Sequence, residues 1–225
     1  TVAIAARGQE RLRQAAEAAR KPLREALAMI EQLLGLHPTM ERESIAGSAC
    51  KRLALIEAAS GMAGSDARAL EAVKRMRAHY ARAEALAHAA DSSEIYYPAL
   101  NRMAAELVCD ASRPGWPGFD AADTAFVRQR LADKTRNDPD FWSVAGLTEL
   151  RVYEAVAAQA LAPALAAVAA EYAELQRRVS GSNYWRSLYD TTRFVLDSYQ
   201  ARATAAEKRA GVELVLLLEG FAWPA

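Results

Sequence analysis

The stretch SIAGSAC, residues 44–50, and the stretch WSVAG, residues 142–146, carry alanine and glycine inside a helical pattern. Around the first stretch, apolar or small residues recur every three or four positions, as they do on the buried face of an amphipathic helix. Small residues at such positions let two helix backbones approach closely, which favours stacked helical hairpins over one bundle with a thick core. The fold therefore depends on whether this small-residue contact recurs along the chain.

Helical periodicity continues outward from these stretches over nearly the whole chain. It predicts about ten helices and no strand, with short interruptions rich in Pro, Gly, Ser and Asp. Thr39 and Asp140 are expected helix N-caps, and residues 91–94 and 204–207 carry the side chains of capping boxes. Pro22 either kinks the first helix or starts a second one. Because the connections are short, successive helices should pack antiparallel as hairpins.

The charge balance and the lack of long apolar runs exclude several classes of protein. The chain has 225 residues, and Lys+Arg and Asp+Glu are both 28, so no overall field attracts nucleic acid or an anionic membrane. The most apolar run, Leu214–Leu218, is much shorter than the roughly twenty residues of a membrane span. We therefore expect a cytoplasmic protein that binds neither nucleic acid nor membrane.

The small-residue stretches resemble tetratricopeptide repeats, whose first helix carries a Trp followed three and four residues later by a small or apolar residue and a Gly. Residues 142–146 match that spacing, and Ala46 and Gly47 occupy the small-residue pair. The second-helix pattern of these repeats is matched at Met76, Tyr80 and Ala83. The resemblance implies an all-α fold, a right-handed α-solenoid of about five antiparallel helical hairpins.

Residues 47–54 and 96–103 are also similar to a divergent bacterial family of such sensor and scaffold modules. That family is related to the central regulatory region of apoptosis signal-regulating kinases. The resemblance implies a non-catalytic module beside an effector domain, in the same or a partner protein of bacterial immunity, that senses NAD-derived nucleotide signals. We expect residues 1–8 to be the end of an upstream domain or a linker, and residues 9–225 to form the solenoid.

Residue types that carry catalysis or bind metals are not arranged in recognisable patterns. The three histidines lack the i, i+4 spacing of a helical metal pair, and Cys50 and Cys109 read as buried, reduced residues. Asp138 and Asp140 stand at a helix start, where capping explains them. The charged stretch 75–84 reads as a solvent-facing surface. We therefore expect no enzymatic activity, no metal and no cofactor.

The repeat register predicts a basic groove. In this architecture the positions one, four and five after the Gly position, and three before it, face the concave surface. A ligand-binding set follows from these positions and from the side-chain chemistry: Lys51, Arg52, Tyr97, Asn101, Arg151, Arg186, Asp190 and Arg193. Arginine forks bind carboxylate or phosphate bidentately and a tyrosine ring offers a stacking face, so the groove suits an anionic small molecule or an acidic peptide.

Other interpretations of these residues stay open at this stage. The cations can instead pair with neighbouring acidic residues or face water, and the module can be a plain protein–protein adaptor without a small-molecule ligand. An enzyme whose site the register hides is a further alternative. Trp116, between two prolines, is expected either to cap a neighbouring hairpin or to contact another domain.

Overall fold

The computed structural model describes residues 2–111, 115–201 and 203–224, and within these it describes the side chains of all residues except 2–9 and 12. This part of the chain contains nine helices and no strand, which confirms the all-α prediction. The helices are α1 (Val2–Leu36), α2 (Met40–Ser60), α3 (Ser65–Ala89), α4 (Tyr96–Asp110), α5 (Ala121–Asn137), α6 (Phe141–Ala157), α7 (Leu161–Arg178), α8 (Ser182–Tyr199) and α9 (Ala205–Ala222).

The chain forms two compact units, Thr1–Ala90 and Asp91–Ala225. In the first unit α2 packs on both α1 and α3. In the second unit α6–α7 and α8–α9 pair as hairpins, α4 contacts α5 and α6, and α7 contacts α9. Each unit thus shows the neighbour-to-neighbour helix packing of an α-solenoid. The second unit is more closed than a linear stack, because α4 also contacts α8.

Two differences from the predicted helix count have local causes. Pro22 lies inside α1, which continues unbroken across it, because a proline removes one helical hydrogen bond and thirty-four other residues maintain the helix. The described chain therefore has nine helices, with four hairpins preceded by α1. The capping box predicted at residues 91–94 is wrong: α4 begins only at Tyr96, and the Glu94 carboxylate accepts from the Tyr96 hydroxyl and pairs with Lys134.

The other helix starts follow the sequence prediction. The Thr39 hydroxyl accepts the Arg42 N–H at 3.1 Å and thereby caps α2. Asp140 caps α6 in a capping box with Ser143, its Oδ1 accepting the Ser143 N–H at 2.6 Å. Thr204 accepts the Glu207 N–H at 3.3 Å at the start of α9, but the capping box predicted there is incomplete. The Glu207 carboxylate accepts instead from the Leu161 N–H at 2.7 Å and from the Tyr199 hydroxyl at 2.8 Å.

The predicted small-residue contact is present in both units. A Cβ atom on Gly47 would lie 2.7 Å from the Tyr80 ring, and one on Gly146 would lie 2.7 Å from a Leu131 methyl group. Tyr80 is buried together with Met76 and Ala83, as the second-helix pattern predicts. Hence α2 and α3 in the first unit, and α5 and α6 in the second, pack so closely that the contact position has no room for a side chain larger than that of glycine without a shift of the neighbour.

Aromatic packing dominates the core of the second unit. The Trp185 ring is fully buried and makes edge-to-face contacts with Phe141, Tyr172 and Phe221. Its Nε1–H donates to the Val179 carbonyl at 2.7 Å, so the polar atom of the ring is satisfied. Trp185 therefore packs between the α6–α7 and α8–α9 hairpins.

Candidate functional site

A cleft between the three helices of the first unit combines an apolar floor with a charged rim. Its volume is about 310 Å³. We call it the three-helix cleft, and its lining consists of Arg24, Leu27, Ala28 and Glu31 from α1, Leu53 and Glu57 from α2, and Arg68, Glu71, Ala72 and Arg75 from α3. The spacing of these residues on α1 and on α3 follows single helical stripes, so the two outer helices turn one face each toward α2.

Three arginines converge on one buried carboxylate at the end of this cleft. The Glu57 side chain is 1% exposed, and its Oε1 accepts from Arg20 Nε and from an Arg24 terminal nitrogen, both at 3.0 Å. Its Oε2 accepts from Arg68 Nε at 2.8 Å. Arg24 and Arg68 remain 52% and 39% exposed, and Arg68 also donates from Nη1 to the Ala63 carbonyl at 3.0 Å. One negative charge thus faces three positive charges.

This environment keeps Glu57 ionised. Burial by itself raises the pKa of the Glu57 carboxyl, because the charged form loses its hydration. The hydrogen bond from Arg68 and the charges of Arg20 and Arg68 outweigh burial and hold the pKa below its ordinary value of 4.5. The carboxylate is therefore a permanent negative centre of the cluster at neutral pH.

A second buried network lies farther along the same helices. His79 Nδ1 is 2.7 Å from a Glu43 oxygen, and Arg82 Nε donates to the other Glu43 oxygen at 2.9 Å. Burial raises the pKa of Glu43, but the hydrogen bonds with Arg82 and His79 outweigh it and lower the pKa below 4.5. Cys50 is buried nearby, and its burial raises the pKa of the thiol to about 11, so this cysteine is an unreactive thiol at neutral pH.

The first unit carries a net positive charge, although the lining of the cleft itself balances Arg24, Arg68 and Arg75 against Glu31, Glu57 and Glu71. Residues 1–90 contain fourteen Lys and Arg against ten Asp and Glu, a net charge of +4. Residues 91–225 contain fourteen Lys and Arg against eighteen Asp and Glu, a net charge of −4. The neutral total therefore conceals a basic first unit, which favours anions by the sign of its field.

The predicted groove residues of α2 and α4 are placed differently from one another. Lys51 is buried, whereas Arg52 is exposed and donates to Ser48 Oγ at 2.6 Å. On α4, Tyr97 is 38% exposed and its carbonyl accepts from Asn101 Nδ2 at 3.0 Å. Arg52 and Tyr97 thus present the accessible side chains of this half of the predicted set.

Two other predicted arginines already have acidic neighbours, as the alternative interpretation expected. Arg151 pairs with Glu171 of α7 and lines an α6–α7 groove of about 440 Å³ together with Leu147. Arg193 donates to the Tyr189 hydroxyl at 3.0 Å and pairs with Asp197 at 3.5 Å. These contacts hold both side chains on the surface of their own helical pair.

The remaining members of the predicted set lie on α8. Arg186 donates to the Ala222 carbonyl at 3.2 Å, at the end of α9, and its guanidinium lies 5.7 Å from the centre of the Trp223 ring. Asp190 is exposed and shares this face of α8 with Arg186 and Arg193, at spacings of four and three residues. The structure thus brings these three side chains onto one helix face. There Arg186 donates to a backbone carbonyl at the end of α9 that has no partner within the helix.

Sequence reasoning missed the cleft because it assigned the stretch 75–84 to the solvent. That assignment is wrong for His79, which is buried, whereas Arg75 and Arg82 are partly exposed and pair with Glu31 of α1 and with the buried Glu43. A usable signal was present, because residues 68, 72, 75, 79 and 82 form one helical stripe that carries Arg, Ala, Arg, His and Arg.

Other features of the described residues serve the architecture. Trp116 is half-buried, packs edge to face on Phe119 and donates from Nε1 to Glu106 at 3.3 Å, so these contacts lie within its own α4–α5 hairpin and not on a neighbouring one. The part of the loop formed by residues 112–114 lies outside the described residues. No group of His, Cys, Asp and Glu suitable for a metal ion occurs within the described ranges. A separate search of the described helices found none with the length and apolarity that crossing a membrane requires.

Comparison with known proteins gives one match. Residues 3–107 match the family described as Tetratricopeptide Repeats-Sensor. The matched segment contains the whole three-helix cleft and four of the predicted groove residues, and it continues into α4. No curated protein and no solved structure matches the chain.

Proposed function

We propose that the Tetratricopeptide Repeats-Sensor segment, residues 3–107, is a non-catalytic sensor that binds an anionic, phosphoryl-bearing small molecule in the three-helix cleft and passes the signal to an attached effector. The observation that carries the proposal is the convergence of Arg20, Arg24 and Arg68 on the single carboxylate of Glu57. The family match supports a sensor or scaffold role for this segment. The net charge of +4 in residues 1–90 supports an anion as its ligand.

The donor geometry favours phosphate over a single carboxylate. Arg24 and Arg68 each use only part of their donor set on Glu57, and each guanidinium offers five N–H groups in a planar fork. A phosphoryl group presents several acceptor oxygens and up to two negative charges, so it satisfies two forks at once. The two arginines come from α1 and α3, so one phosphoryl group would draw donors of both outer helices away from Glu57 of α2.

The size and floor of the cleft fit a small ligand. Its volume of about 310 Å³ is at the lower end of the range of about 300–1,000 Å³ found for small-molecule pockets. Leu27, Ala28, Leu53 and Ala72 supply an apolar surface on which a base or another planar group can rest. A compound of mononucleotide size meets both conditions.

A second candidate is the predicted basic groove or a plain adaptor surface. The observation that favours it is the α6–α7 groove, where Arg151 and Leu147 lie together as the repeat register predicts. An acidic peptide is the natural ligand of such a surface, with Lys51, Arg52, Tyr97, Asn101, Arg186, Asp190 and Arg193 as the other predicted contacts.

Isothermal titration calorimetry at fixed ionic strength separates the two sites. Inorganic pyrophosphate, AMP, ADP and NAD are titrated into the protein and into Arg24→Gln, Arg68→Gln, Arg52→Gln and Arg193→Gln variants. We expect each cleft variant to weaken binding about tenfold or more, since a lost charge-assisted hydrogen bond costs about 1.5–3 kcal/mol. Lys21→Gln, an exposed cation on α1 outside the cleft, is the matched control and should bind as the unaltered protein does.

The outcomes distinguish the proposals. Loss of binding only in the Arg52 and Arg193 variants would assign the ligand to the predicted groove and contradict the cleft. Absence of binding with every compound would favour the adaptor. Consumption of any titrated compound during the experiment would contradict the non-catalytic assignment.

A further inference from the structure

We propose that Glu57 is an internal competitor for the anion site, and that an external phosphoryl group displaces its hold on Arg24 and Arg68 and loosens α1 from α2. This inference rests on the proposed function, since it describes how the three-helix cleft is regulated. In the structure the Glu57 carboxylate itself occupies the arginine cluster, because it pairs with Arg20 and Arg24 from α1 and with Arg68 from α3.

The attachment of α1 depends strongly on this carboxylate. Among the described side chains of α1, only Ala16 and Leu27 are buried, although the helix has 35 residues. Its inward stripe continues through Arg20, Arg24 and Glu31, which all end in ion pairs with α2 or α3. Removal of the charged contacts would leave a helix with a narrow apolar seam.

Competition follows from the different exposure of the charged groups. Arg24 and Arg68 are accessible to a ligand, whereas Arg20 is 17% exposed and Glu57 only 1%. When a phosphoryl group engages the two accessible arginines, Glu57 keeps Arg20 as its main partner. A buried carboxylate with fewer hydrogen-bonded cations is destabilising, so the docked position of α1 becomes less favourable.

The coupling acts in both directions. If the anion weakens the hold of Glu57 on Arg24 and Arg68, then weakening that hold strengthens anion binding by the same factor, because the two equilibria are linked. The short connection at residues 37–39 keeps α1 attached to α2 while it moves. In this scheme α1 is the element that reports the occupancy of the cleft.

Hydrogen exchange measured by mass spectrometry on the full chain tests the inference, with pyrophosphate as the probe and sodium chloride at equal ionic strength as the reference. Pyrophosphate should speed exchange of the amides in residues 16–36 at least threefold and leave those of α9 unchanged. Glu57→Gln should speed the same amides without pyrophosphate and lower the calorimetric Kd for pyrophosphate at least threefold. Glu71→Gln removes the same charge from the exposed rim of the cleft and should lower Kd less than Glu57→Gln does.

Arg20→Gln supplies an independent test, should Glu57→Gln fail to fold. This substitution also removes a tie of α1, but it leaves Glu57 charged and more dependent on Arg24 and Arg68. We therefore expect faster exchange in α1 together with weaker pyrophosphate binding, opposite in sign to the effect of Glu57→Gln on Kd. The competitor role would be overturned if Glu57→Gln and Glu71→Gln lowered the Kd for pyrophosphate equally, or if Arg20→Gln lowered it.

Two results separate this inference from the function on which it rests. If pyrophosphate binds and Arg68→Gln abolishes binding, while α1 exchange stays constant, the cleft is correct and the displacement of α1 is wrong. If neither the unaltered protein nor Glu57→Gln binds pyrophosphate, both proposals fail.

Discussion

The two units of this protein solve the same packing problem with different chemistry. Residues 1–90 contain one aromatic side chain of the Phe, Trp and Tyr type, Tyr80, whereas all four tryptophans and all five phenylalanines lie in residues 91–225. The first unit buries Glu43, Glu57 and His79 between its helices. The second unit also buries a carboxylate, Glu207, but this one accepts from a backbone N–H and from the Tyr199 hydroxyl. An ion-pair network with accessible arginines responds more to competing anions than aromatic contacts do, so the proposed function assigns the response to the first unit.

The largest expected effect is the loss of the central aromatic ring of the second unit. Trp185→Ala should lower the free energy of unfolding of that unit by about 4 kcal/mol, because it removes a fully buried ring and leaves a cavity. Hydrogen exchange in α6–α9 under increasing urea measures this change, with the amides of α2 and α3 as the internal reference. A loss below about 1 kcal/mol would contradict the role of the aromatic core.

The corresponding substitution in the first unit removes a buried charge. Glu43→Ala should lower the free energy of unfolding of the first unit by about 3 kcal/mol, because His79 and Arg82 lose their carboxylate partner. Glu41, an exposed acidic residue two positions earlier on α2, supplies the control: Glu41→Ala should change stability by less than about 0.5 kcal/mol. Equal effects of the two substitutions on exchange in α2 and α3 would contradict a structural role for the buried network.

The close helix contacts of the two units differ in how much they can yield. Gly47→Ala places a methyl group against the rigid ring of Tyr80, while Gly146→Ala meets the flexible ends of Leu131 and Leu100. Alanine favours a helix over glycine by about 1 kcal/mol, so Gly146→Ala should be nearly neutral, whereas steric strain should make Gly47→Ala destabilising by about 1 kcal/mol. Urea unfolding followed by exchange checks the order, and the reverse order would contradict the tight contact of α2 and α3.

The smallest expected effect is the change in folding stability when the buried carboxylates are protonated. The folded pKa values of Glu43 and Glu57 lie below 4.5, so their contribution to stability is fully present above that value and is lost as pH falls through the lowered folded values. Exchange in α2 and α3, corrected for the intrinsic pH dependence, should therefore indicate constant stability from pH 7 to 5 and a decline below pH 4.5. Glu57→Gln should show a smaller decline than the unaltered protein, and an equal decline would contradict the role of Glu57.

The sequence was sufficient for the fold and insufficient for the site, for physical reasons that particular residues show. Thr39 and Asp140 cap helices because capping is a local interaction, and Gly47 marks a close contact because only a missing side chain permits it. Glu57 meets Arg20 across 37 positions of sequence, so its burial depends on which helices become neighbours. Charged side chains usually face water, which is why the stripe containing His79 was assigned to the surface.

Calorimetry of pyrophosphate binding decides whether the arginines around Glu57 form an anion site for which Glu57 competes. At constant ionic strength, we expect Arg68→Gln to bind pyrophosphate at least tenfold more weakly than the unaltered protein, and Glu57→Gln to bind it at least threefold more tightly. Equal dissociation constants in all three proteins would show that the arginines around Glu57 serve only to hold the helices together.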